Sequence, residues 1–149
     1  MKKLLLPIAI AAAFFLYQKW DESRYWAQGA ATGAIVSAAD DDAIRDAFES
    51  QQSGVEVSGA GTVSRILDDD REGNRHQRFI LALGTGRTLL IAHNVDVAPR
   101  IEGLTVGDAV SFHGIYEWND KGGVVHWTHH DPQGQHQAGW IRHRGRTYQ

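Results

Sequence analysis

Hydrophobic and polar positions follow one rule before Val55 and another after it. From Leu4 to Tyr17 apolar residues run with no polar face, directly behind Lys2 and Lys3. Positive charge followed by an apolar run is the pattern of an export signal. The run is shorter than the roughly 20 residues that span a bilayer comfortably. The stretch "SAADDDAIRDAFESQQSG" then places Ile44, Ala47, Phe48 and Gln51 on one face at helical spacing. Acidic residues crowd its start, Ser37 or Asp40 can cap it, and Gly54 can end it, so a short helix is predicted. Its apolar stripe is narrow, which suits a plug on a larger body.

From Val55 onward the period is that of strands. "VEVSGAGTVSRILDDD" alternates and carries Gly59 and Gly61, which suit a bend or bulge. "RHQRFILALGTGRTLLIAHNVD" predicts a hairpin turning at "GTG". After the connection "APRIEGLTVGD", a second hairpin is predicted from "AVSFHGIYEWN", "DKGG" and "VVHWTHHDP", with a bulge at Gly114. The pattern divides the chain into a signal peptide or membrane anchor over 1–26, a small-residue linker over 27–37, and one β domain over 38–149.

The order of these elements resembles the small bacterial OB-fold domains. A bent, glycine-bearing first strand leads into "RFILALGTGRTLLI". The stretch containing Leu104, Gly107, Asp108, Val110, Phe112 and Gly114 follows, and then one last strand. More narrowly, "RHQRFIL", "LLIAHNVDVAPRI", "YEWN" and "GGVVHWTHHDP" resemble the exported bacterial domain-of-unknown-function family 3465 from Ala43 to Tyr148. The resemblance implies a mainly β fold: a small five-stranded OB-like Greek-key barrel with one short N-terminal helix. It carries no activity with it.

Composition removes several classes of chemistry. The chain of 149 residues has no cysteine, so disulfides, thiolate metal sites and thiol nucleophiles are out. From Gln28 onward 11 basic side chains face 16 acidic ones, which gives no support to a general nucleic-acid binder. Lys121 is the only lysine after Lys19, so the positive charge is carried by arginine forks suited to carboxylates and phosphates. The expected address is export to the periplasm or beyond. Ala27 and Gly29 mark a cleavage site; if it is not used, Tyr17, Trp20, Tyr25 and Trp26 rest at the membrane interface and the segment is a tether.

Candidate chemistry gathers in four places. In "NRHQRF", strand parity sets Arg75, Gln77 and Phe79 on one side and His76 and Arg78 on the other. His76 with Arg78 makes an anion-reading pair, unless Arg78 simply pairs Asp68, Asp69 or Asp70. In "AHNVD", His93, Asn94 and Asp96 leave an apolar strand together, as site residues or as a plain turn. In "YEWN", Glu117 can pair a histidine of the next strand, while Trp118 and Trp127 can stack on a ring or fill the core. In "HWTHHDPQGQH", parity sets His126 and His130 on one face and His129 and Asp131 on the other, with His136 beyond a turn. Two ligands on one strand face are too few for zinc, so any divalent metal there needs partners from elsewhere. The tail brings Arg142, Arg144 and Arg146, a basic stripe if it is a strand.

Three functions compete at this point. The first is an exported or tethered domain binding an oligonucleotide, a saccharide or a small anion through Arg75, His76, Arg78, His93, Asn94, Trp118 and Trp127. The second is a metal-dependent phosphodiester hydrolase. It holds its ion through His126, His129, Asp131 and His136, with Glu117 or His130 as base and Arg78 stabilising charge. The third is a structural envelope module whose partner is a protein.

Overall fold

In the computed structural model, which describes residues 38–134 and 137–149, the helix and both hairpins form, and a third hairpin follows them. The elements are α1 (Ala38–Glu49), β1 (Val55–Ile66), β2 (His76–Leu83), β3 (Thr88–Asn94), β4 (Ala109–Glu117), β5 (Val124–His126), β6 (Trp140–His143) and β7 (Arg146–Tyr148). The predicted signal or anchor and linker lie outside the described residues. Among the described residues no helix is long and apolar enough to cross a membrane.

Strands β1 to β5 close a barrel in the order β1-β2-β3-β5-β4, with β4 returning to β1. Strands β3 and β5 run parallel, and the other neighbours in the ring are antiparallel. One strand can serve two neighbours because β1 is long and bent. Its first part, from Val55 to Thr62, pairs β4, and its second, from Gly61 to Ile66, pairs β2 with a register shift between Val63 and Arg65. Gly59 lets the core close against β1: a Cβ there would sit 2.7 Å from the Phe112 ring and 3.0 Å from Ile44. The interior is filled by Val57, Val63, Phe79, Leu81, Leu89, Ile91, Phe112, Tyr116 and Val125. Helix α1 adds Ile44 and Ala47 to this core, as its narrow stripe predicted. The helix ends earlier than Gly54, because Gln51 takes the left-handed conformation (φ 53°) and the Gln52 amide closes on the Ala47 carbonyl at 2.9 Å.

The last barrel strand departs most from the sequence pattern. It is in two pieces along one edge of β4: His126 of β5 lies opposite Ile115, and Trp140 of β6 lies opposite His113. The chain leaves after His126 and rejoins at Trp140 across the single position Gly114. No bulge is needed in β4. The glycine is there because the carbonyl of His126 occupies the space a Cβ would take. The tail is a hairpin of β6 and β7, not one stripe. Arg144 sits in its turn bonded to Asp108, Arg146 pairs Glu102, and Arg142 lies over the Trp140 ring.

Candidate functional site on the outer face of β2 and β3

Alternation along β2 sends Gln77, Phe79 and Leu81 inward and His76, Arg78 and Ile80 outward. Register then sets Arg78 beside Ala92 and Ile80 beside Leu90 on β3, with Leu90 beside Val124 on β5. Ile80, Leu90, Ala92 and Val124 form a small buried cluster with Leu67 packed against it, so this outer face is apolar with an arginine at one end. Arg78 is only 3 % exposed. Its Nε and Nη2 both donate to the Asp68 carbonyl, at 2.9 and 2.6 Å, and its buried Nη1 has no hydrogen-bond partner. The alternative, a pairing of Arg78 with an aspartate carboxylate, is not made. Asp69 takes Arg100 at 2.6 Å, and that bond holds its carboxyl below the usual range; Asp70 receives the amide of Glu72. Beside this face, Leu67, Asp68, Asp69, Arg71 and Arg100 line an open cavity of about 430 Å³. Asp68 is common to both, lining the cavity while its carbonyl holds Arg78.

The remaining binding candidates divide by whether their polar atoms are already engaged. Arg75 is exposed and closed onto Asp96 through its backbone amide (2.8 Å) and Nε (3.0 Å), which keeps that carboxyl below its ordinary range. Asn94 turns the chain by accepting the amide of Asp96. His76 exchanges both backbone bonds with Asp70, and burial pushes its imidazole down. His93 points inward and is fully buried, with Nε2 on the Pro99 carbonyl (3.0 Å) and Nδ1 on the Thr128 hydroxyl (2.8 Å). A carbonyl only accepts, so Nε2 carries the proton and Nδ1 receives the threonine's. Burial pushes this histidine down to about 4. It is a neutral clasp between the β3–β4 connection and the start of the excursion.

The histidine-rich stretch does not keep strand parity, because β5 ends at His126 and Trp127 has a positive φ of 55°. His126 reaches back to Glu117 across β4 at 3.4 Å, and its imidazole holds that carboxyl below the usual range. The Nδ1 of His129 donates to the His130 carbonyl at 2.6 Å, and Asp131 accepts the Gln133 amide to form a turn. His130 is exposed. His136 lies outside the described residues, and among those described no three histidine or acidic side chains are arranged to hold a metal ion. The two tryptophans do not meet. Trp118 donates its indole N–H to the Phe48 carbonyl at the helix end, whereas Trp127 lies against His126 and His129 beyond β5.

Two polar residues with firm structural work carry no motif. Gln77 clamps Ile101 through both its amide N–H (2.8 Å) and carbonyl (3.1 Å), fixing the β3–β4 connection against the barrel. Asp108 gathers the Thr105 amide, His143 Nε2 (2.8 Å) and Arg144, and these bonds, the backbone one foremost, hold its carboxyl well below the usual carboxylate range. Only the "GD" dipeptide before a strand signals the second.

A closed five-stranded barrel of order 1-2-3-5-4, with β3 and β5 parallel and one capping helix, is an OB-like barrel. Over residues 29–149 the chain matches the family described as "Protein of unknown function (DUF3465)" and belongs to it. No curated protein matches the chain.

Proposed function

We propose that this protein is an exported ligand-binding domain whose ligand presents an anionic group to Arg78 on the outer face of β2 and β3. One observation carries the reading: a buried guanidinium bonded only to a carbonyl, with Nη1 unpaired. A buried donor left unsatisfied costs on the order of 1–3 kcal/mol, more when charged, and an incoming carboxylate or phosphate oxygen removes that cost. The fold supports the placement, since OB domains bind oligonucleotides and saccharides on this face and its adjoining β1–β2 loop. Here that loop contributes the cavity, with Arg71 and Arg100 in its lining, while Ile80, Leu90 and Val124 are buried beneath the face and hold it rigid. The address rests on the Lys2–Lys3 charge and the apolar run behind it.

Calorimetric titration of the purified chain with inorganic phosphate, a short oligonucleotide and a uronate oligosaccharide tests the reading. Binding of an anionic probe is expected, with a loss of about 10- to 100-fold in Arg78→Met, the equivalent of one charge-assisted hydrogen bond. Equal binding by Arg78→Met, or no binding of any anion, overturns it. Intact-mass analysis of the protein from the native host distinguishes cleavage near Gly29 from a retained tether.

A further inference from the structure

On the opposite side of the barrel, three side chains that share no sequence motif are wired in a line. Ser58 of β1 lies directly opposite His113 of β4, and its Oγ is 2.8 Å from His113 Nδ1. The Nε2 of the same ring is 3.2 Å from Oε1 of Glu56, two residues before Ser58 on the same face of β1. The carboxylate only accepts, so Nε2 carries the proton and Nδ1 presents its lone pair. The hydroxyl of Ser58 is therefore the donor, aimed at a base whose tautomer a carboxylate has fixed. A hydroxyl, an imidazole and an orienting carboxylate in that order are the parts of an activated nucleophile. The row continues onto β6. Trp140, paired with His113, stacks beside its ring at 6.2 Å, and the Arg142 guanidinium lies 4.2 Å over the indole.

The geometry points to Ser58 as an acyl-accepting nucleophile, with an acyl ester as substrate and Trp140 as the platform for its acyl or leaving group. The hydroxyl oxygen attacks the ester carbonyl and its proton passes to Nδ1 of His113. The imidazolium so formed is held by Glu56. Collapse of the tetrahedral intermediate breaks the bond to the leaving oxygen, which takes the proton from Nδ1 and departs as the alcohol. Water then repeats the sequence on acyl-Ser58 and releases the carboxylic acid, so no other reactant is consumed. His113 is shielded while Glu56 is 44 % exposed, and the row lies on the outer face of the β1–β4 sheet. An outer face admits an ester displayed along an extended polymer, and Arg142 favours a carrier with negative charge. Glu56 is a positioning residue, acting only through His113.

The full chain is treated with a fluorophosphonate probe and the adduct located by peptide mass, alongside hydrolysis of p-nitrophenyl acetate. Labelling at Ser58 is expected, as is loss of both labelling and ester hydrolysis in Ser58→Ala. Ser111→Ala, which changes a serine on the same strand face outside the row, should behave as the parent. Glu56→Gln should slow labelling about tenfold and move the His113 Nε2–H proton resonance upfield while leaving the melting temperature in place. No adduct on Ser58, or ester hydrolysis by Ser58→Ala at the parental rate, reduces the row to a cross-strand polar contact and overturns the assignment. Neither result bears on anion binding at Arg78, which is read by a different assay on another face.

Discussion

His93 and Arg78 stand on adjacent strands, both almost wholly out of water, one inside the barrel and one outside it. Inside, every polar atom of the ring is used: one nitrogen gives to Pro99 and the other takes from Thr128. Outside, the guanidinium shares one carbonyl between two donors and leaves a third unused. The inner residue has the bonding of a structural part. The outer one keeps a charge with no carboxylate bonded to it and one donor unmade, where a methionine would pack, and on the proposed reading that position is kept for a ligand at some cost in stability. Arg75, three positions earlier, sharpens the point: exposed to water, it nevertheless has its carboxylate.

The contrast can be broken in several ways. His93→Ala should cost the most, about 2–4 kcal/mol in urea unfolding, from a cavity and two orphaned partners. A smaller loss would show that Thr128 and Pro99 find other partners and that the clasp is dispensable. Arg78→Met should go the other way, raising stability by about 1–2 kcal/mol without ligand. A destabilised Arg78→Met would make the arginine structural, as His93 is.

Acid provides a subtler separation. The folded state refuses a proton on His93 until about pH 4, whereas the unfolded chain takes it up near the ordinary histidine value of about 6.5. The unfolded state binds more protons in that window, so stability should fall as pH drops from about 6.5 towards 4. The lowered carboxyls of Glu117 and Asp108 act in the same direction. Their contribution is present above the ordinary carboxylate range and is lost below it. His93→Gln should flatten the upper part of the profile only, as read by urea midpoints at successive pH values. An unchanged slope between pH 6.5 and 5 would mean that another group carries it. Least of all, Arg75→Ala should leave the melting temperature unmoved, as expected for an exposed pair.

Much of the barrel was legible because its signals are local. The "GTG" turn between two apolar runs, the alternation through "RHQRF" and the Ile44, Ala47, Phe48 stripe each follow from a few neighbouring residues, and each appears in the fold. The misreadings depend on conformations that leave no trace in residue type. Gln51 and Trp127 adopt positive φ without being glycine, which ends α1 early and breaks the parity of "HWTHHD". The site was half legible. That Arg78 faces outward follows from parity; that it finds no aspartate, with three just upstream, depends on where the β1–β2 loop turns. Ser58 and Glu56 gave no signal, since their meeting with His113 is a register across 55 and 57 positions of chain.

The two-piece last strand has a consequence for how such a domain can change. Because the chain departs opposite Ile115 and returns opposite His113, both ends of the excursion are pinned to neighbouring points on β4, whatever lies between. Doubling a loop held at both ends adds only about 0.6 kcal/mol of closure entropy. The buried His129 and Gly139, whose amide closes on the His129 carbonyl at 2.9 Å, belong to the pinned ends, so it is added length between them that the barrel tolerates. This is a position at which a peptide or reporter can be grafted with little penalty to the fold.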